Sequence, residues 1–178
     1  MFLHRRLAWL GPTLLAAACT PALNWRQVSL PPASASLLLP CKPDRTTRSV
    51  PLGGVPTELA VAGCEAGGAT FALMATTLPA GRAADDLLAG WQQATLARMQ
   101  ASGTPQREPF TPRGASALPH AQRLQAQGRA PDGRPVVAHA AWAARALPGG
   151  GAELLHAVVY AERAQPAAAA AFFEGIQW

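Results

Sequence analysis

Aromatic residues make up only 6% of the 178 positions and charged residues only 14%. Lysine is almost absent: Lys42 stands alone beside fourteen arginines. Apart from Arg5-Arg6 the arginines occur singly, so the chain lacks the basic run that tracks a phosphate backbone, and nucleic acid is not an expected partner. The formal charge of +5 falls to near +3 if Arg5 and Arg6 leave with an export signal. There is no apolar run of the ~20 residues that span a bilayer. Also missing are a phosphate-binding Gly-rich loop followed by Lys-Ser/Thr, a dinucleotide fingerprint, a metalloprotease helix motif and a Cys-x-x-Cys pair. Gly114-Ala115-Ser116-Ala117-Leu118 lacks the second glycine of a nucleophile elbow. No cofactor, metal ligand set or catalytic residue is therefore expected. The length suits one domain.

What is present begins at the N-terminus. His4, Arg5 and Arg6 form a basic start, followed by an apolar stretch, residues 7–18, that ends Ala16-Ala17-Ala18-Cys19. This is the layout of a secretory signal, residues 1–18. Small residues immediately before a cysteine also resemble the bacterial lipobox, which implies acylation of Cys19 and a short tether, 19–24. Leu15 stands one position further from the cysteine than the lipobox leucine, so a signal-peptidase cut after Ala18, with a soluble periplasmic or secreted product, is the alternative. Thr20 after the cysteine, by the same resemblance, implies the outer membrane.

Three cysteines are an odd number for an exported chain. Acylation of Cys19 would leave Cys41 and Cys64 as a disulfide, worth about 3 kcal/mol for a loop of this length. The expected geometry is that of neighbouring strands in one antiparallel sheet, with Cα atoms about 5–6 Å apart. Two unpaired buried cysteines are the other possibility.

Along the rest of the chain, proline and glycine punctuate alternating segments. Strands are expected at 25–30, 36–39, 46–52, 57–65 and 69–78, with Gly53-Gly54 and Gly67-Gly68 as hairpin turns. In 57–65, Leu59, Val61 and Gly63 share one face and Ala60, Ala62 and Cys64 the other. Residues 82–102 change period: Leu88, Trp91, Thr95, Leu96 and Met99 form one helical stripe, with Asp85 and Asp86 near its N-terminus and Gly103 beyond its end. Three strands follow as a meander, 118–129, 136–147 and 152–162, and Pro166 opens a terminal helix, 167–174. The order predicts an α+β domain over 25–178: an antiparallel sheet of N-terminal hairpins and a C-terminal meander, packed against one long and one short helix.

Four segments carry a resemblance: the Trp25 strand, Leu-Leu-Leu-Pro-Cys-Lys-Pro-Asp-Arg (37–45), Cys-Glu-Ala-Gly-Gly-Ala-Thr-Phe (64–71) and the terminal Phe-Phe-Glu-Gly-Ile. They resemble small exported proteobacterial proteins without an assigned activity, and the layout is similar to the PsbP-like fold. That resemblance implies a binding or accessory role and brings no catalytic motif.

The remaining candidates for chemistry are His120, His139 and His156. Symmetric pairing about Gly149-Gly150 puts His139 opposite Tyr160 and His156 opposite Ala143, on one face and roughly 13 Å apart, too far to share a metal. Solvent-facing or locally hydrogen-bonded rings are expected. Asp85 and Asp86 point about 100° apart on a helix and cannot form a dyad. The expected function is a non-catalytic cell-envelope lipoprotein that binds a protein partner, with Arg123, Gln125, Gln127 and Arg129 as a polar strand face. The alternatives are a small-molecule or lipid carrier and an unrecognised hydrolase.

Overall fold

The computed structural model describes residues 23–178. Cys19, the expected signal 1–18 and most of the tether 19–24 lie outside the described residues. Strands β1 (Arg26–Ser29) and β2 (Ser36–Leu39) pair with each other as a small antiparallel sheet. The other strands are β3 (Asp44–Leu52), β4 (Val55–Ala66), β5 (Ala69–Leu78), β6 (Ser102–Pro109), β7 (Gln122–Arg129), β8 (Pro135–Ala146) and β9 (Ala152–Ala161). They form one antiparallel sheet in the order β3-β4-β5-β9-β8-β7-β6. Among the described residues two helices, α1 (Ala84–Arg98) and α2 (Pro166–Glu174), complete the fold.

Local sequence accounts for most of these elements. At both Gly-Gly turns the glycines have positive φ, 60° and 77° at Gly53-Gly54 and 58° and 74° at Gly67-Gly68, the sign pattern that two-residue hairpins need. Alternation then sorts side chains between two cores. On one face Phe71, Leu73, Leu155, Ala157 and Val159 pack with Val28, Leu37 and Leu39 of the small sheet and with Phe172 and Phe173 of α2. On the other, Leu59, Trp142, Leu154 and Val158 pack with Leu87, Leu88 and Trp91 of α1. Ala62 and Cys64 join the first core and Leu59 the second, as the alternation in β4 predicts. The inner strand β8 is buried on both faces from Ala138 to Ala144, and its run of alanines lets covering elements come close.

The architecture departs from the sequence expectation in four places. The first hairpin is a separate layer lying on the large sheet, not part of it. The long helix ends at Arg98 rather than 102, because Met99 caps it and Gln100 turns into the positive-φ region at 48°. Residues 102–109 form the edge strand β6, so the C-terminal run has four strands, β6 to β9, rather than three. Pro105 and Pro109 argue against a strand locally, but β6 pairs only with β7 and can spare donors on its outer side. Finally, the β8–β9 register is shifted by one residue: the loop closes by Leu147 N–H donating to Gly151 O, which places His139 opposite Val159 and Trp142 opposite His156.

The end of α1 is docked on β7. Arg129 N–H donates to the Met99 carbonyl at 2.7 Å, and a Cβ on Gly128 would lie 2.3 Å from that same oxygen. Since backbone atoms at both ends of the clash are fixed by pairing, Gly128→Ala is expected to destabilise by about 1–3 kcal/mol, as overpacking does, measured by urea titration. An unchanged midpoint would mean the helix end is free to move away.

Candidate functional site

The small sheet and α2 cover only part of their face of the large sheet, leaving a cleft of ≈ 480 Å³ between α2 and strands β6 to β8. Its sheet side carries Gln106, Glu108, Arg123, Gln125 and His139; its helix side carries Pro166, Ala169, Ala170 and Phe173. Register brings these polar residues together, because Glu108 lies opposite Arg123, Gln106 opposite Gln125, and Gln125 opposite His139. Arg123 Nε is 2.7 Å from Glu108 Oε1. The contact lies off the N–H axis, so it is an ion pair without an aligned hydrogen bond from Nε. Gln127 and Arg129 continue the polar face into the neighbouring groove, beside Gln100, Ser102 and Val137.

His139 sits at the inner wall of the cleft and is buried, not solvent-facing. The backbone N–H of Gln165, the residue before α2, donates to its Nε2 at 3.2 Å. The ring is thus neutral with its proton on Nδ1, and burial pushes its pKa below the usual histidine range. Its basic lone pair is already used, and no hydroxyl or thiol lines the cleft. The chemistry on offer is hydrogen bonding: amide donors and acceptors from Gln106 and Gln125, a guanidinium and a carboxylate.

The three histidines do not converge. The one-residue register shift puts His139 and His156 on opposite faces of the sheet, correcting the expectation that they share one. His156 is enclosed: its ring stacks on Trp142 at 4.3 Å and 12°, and Trp91 of α1 meets it edge-on at 5.3 Å. Neither ring nitrogen has a hydrogen-bond partner, and burial lowers its pKa from 6.5 to about 3. Sequence alone makes this residue look like a polar interruption of an apolar strand. His120 pairs instead with Asp85, whose two carboxylate oxygens take the His120 backbone N–H and Nδ1, each at 2.8 Å. Asp85 therefore ties the loop before β7 to the first turn of α1, a more specific task than facing the helix dipole. Gln92 supports the same loop by donating to the His120 carbonyl at 2.7 Å.

The Cys41–Cys64 disulfide is formed, with Cα atoms 6.0 Å apart. It does not join neighbouring strands of one sheet. Cys41 follows β2 of the small sheet and Cys64 lies in β4 of the large one, so the bond staples two layers. A second tie between those layers was not anticipated: buried Glu153 accepts from Ser34 N–H and Ser34 Oγ, both at 2.9 Å, and Arg145 donates to the same hydroxyl at 3.0 Å. The available signal was a carboxylate inside the otherwise apolar run Ala-Glu-Leu-Leu-His-Ala-Val-Val. Ser116 accepts from Ala146 N–H through its Oγ, a loop contact. Gly149 and Gly150 are turn residues with φ of 89°. Among the described residues no group of three or more His, Cys, Asp or Glu could hold a metal ion. Comparison with protein-family models, curated proteins and solved structures yields no match to this chain.

Proposed function

We propose that the chain is a non-catalytic cell-envelope module, held to a membrane by acyl chains on Cys19, that binds an envelope protein through the polar cleft beside α2. One observation carries the anchoring: Cys41 and Cys64 are bonded to each other, which leaves Cys19 as the third cysteine of an exported chain. Among the described residues the first strand starts at Arg26, so in this reading the 19–24 tether joins the acylated residue to it. Among the described residues no helix is long and apolar enough to cross a membrane, and attachment in this reading comes from lipid. The outer membrane is the destination that Thr20 favours. An antiparallel sheet with helices packed on it is also the layout that suggested the PsbP-like resemblance and its accessory role.

Two features support binding over carriage or catalysis. The interior between the sheet and its helices, where a carrier would enclose its ligand, is packed with Trp142, His156, Leu88 and Trp91 on one side and with Phe71 and Phe172 on the other, and the cleft beside α2 is open. The polar groups that do face solvent line an open cleft without a nucleophile.

Mass spectrometry of protein purified from its own envelope is expected to show a mature N-terminus at Cys19 carrying acyl chains, and Cys19→Ser should move the protein into the soluble fraction. A free Cys19 amine without acyl chains would reject the anchor. A photocrosslinking residue at Gln125 should then trap a partner that the same residue at exposed Asp86, beneath the opposite face, does not; equal trapping from both positions would reject the cleft.

A further inference from the structure

The two edges of the large sheet are built differently. Along β6, Pro105 and Pro109 lack N–H groups and the pairing slips between Ser102 and Gln106, devices that keep an edge from recruiting another strand. Along β3, residues 44–49 are all exposed, no proline occurs before Pro51, and pairing with β4 is unbroken over nine residues. Among the described residues, the one hydrogen bond that a backbone group of 44–50 makes outside that pairing is local: the Thr47 carbonyl accepts from Thr46 Oγ1 at 3.4 Å. One flank of β3 thus carries a row of donors and acceptors with no strand beside it.

Its charges are self-complementary. Asp44, Thr46 and Arg48 share one face, where Asp44 lies opposite Gly63 and Arg48 opposite Leu59 on β4, so neither charge has a cross-strand partner in its own sheet. No ion pair among the described residues involves either of them. When two copies of an edge strand pair antiparallel across a two-fold axis normal to the sheet, the faces stay in common and the axis passes through a residue. An axis through Thr46 sets Asp44 of one copy opposite Arg48 of the other, twice by symmetry, with Arg45 opposite Thr47 between them. An axis through Arg45 or Arg48 sets arginine against arginine instead, and one through Thr47 puts Asp44 opposite Val50. Opposite charges directly across a strand pair stabilise it and like charges destabilise it, so charge selects the Thr46 register.

We propose that β3 is a homodimerisation edge, pairing antiparallel with β3 of a second copy about Thr46 to give a continuous fourteen-stranded sheet held in register by two Asp44–Arg48 ion pairs. The contact is narrow, so the dimer is weak in solution. If Cys19 is acylated, confinement to a membrane raises the local concentration, but the pairing itself needs no anchor and is tested without one.

The test uses the full chain carrying Cys19→Ser, with sedimentation equilibrium up to about 1 mM. Asp44→Arg or Arg48→Asp should each weaken self-association about tenfold, since two attractive pairs become repulsive. The double variant Asp44→Arg/Arg48→Asp should restore it, and an equimolar mixture of the two single variants should form heterodimers better than either forms homodimers. Thr46→Cys, on the axis, should yield a disulfide-linked dimer under mild oxidation, because directly opposed residues lie 4.5–5.5 Å apart at Cα. The three β3 positions, 44, 46 and 48, are exposed, and thermal midpoints within about 2 °C of the parent would show that the fold is kept. A chain that stays monomeric throughout, or a dimer indifferent to the charge exchange, overturns the proposal.

Discussion

Lowering the pH from 7.5 to 4.5 is expected to cost the fold about 3 kcal/mol through His156 alone. In the native state this imidazole lies between Trp142 and Trp91 without a hydrogen-bond partner, and burial holds its pKa near 3 against 6.5 for the free group. Above pH 6.5 neither folded nor unfolded chain carries the proton and the residue adds no pH dependence. As the pH falls through 6.5 the unfolded chain takes up a proton that the native state refuses, so stability drops by about 1.4 kcal/mol per unit until the native ring titrates near 3. His139 acts in the same direction, since its Nε2 can accept the Gln165 N–H only while the ring is neutral and burial lowers its pKa. His156→Phe keeps an aromatic ring against Trp142 and removes the titrating group. Urea unfolding at pH 7.5 and 4.5 should show the variant losing less stability than the parent, by about 3 kcal/mol at pH 4.5. An equal loss in both proteins would mean that water or a local opening already solvates the ring.

Removing the Cys41–Cys64 bond is expected to have an effect of similar size. The loop it closes spans 23 residues, and constraining a loop of that length in the unfolded chain is worth about 3 kcal/mol. For a domain of this size that corresponds to a thermal midpoint lower by about 6–12 °C. Because the bond joins the small sheet to β4, the variant Cys41→Ala/Cys64→Ala should also expose the layer boundary selectively. Amide exchange should rise first in β1 and β2, where the noncovalent ties of Glu153 and Arg145 to Ser34, of Arg45 to Ser29, and the apolar contacts of Trp25, Val28, Leu37 and Leu39 still hold the layers together. Reducing agent should reproduce the loss in the parent and leave the double variant unchanged. A midpoint that falls by less than about 2 °C in both cases would show that the noncovalent ties already fix the layer.

The elements most legible in the sequence were those governed by neighbouring residues. Ser36–Leu39 and Ala69–Leu78 have the expected bounds, both Gly-Gly turns are hairpins, and Pro166 opens α2. β6 was illegible because its prolines and Gly103 oppose a strand locally; only β7 beside it makes the strand worthwhile. The histidine positions failed for a smaller reason. One residue in the Leu147–Gly151 loop changes the register, and in a sheet a one-residue slip moves a side chain to the other face. The cleft was half legible: Arg123, Gln125, Gln127 and Arg129 announce a polar strand face, but Gln106, Glu108 and His139 reach it from other strands.

What the sequence determined by itself was therefore local: alternation, turns, helix period, and an odd cysteine preceded by small residues. Tertiary structure decided which strands neighbour one another, which layer the first hairpin joins, and whether a given histidine meets Gln165, Asp85 or two tryptophans. The physical reason is that alternation constrains each strand only to have two faces. Partner, register and cover depend on burial summed over strands far apart in the chain: Phe71 of β5, Val159 of β9 and Phe172 of α2 find one core only once the β5–β9 pairing has formed.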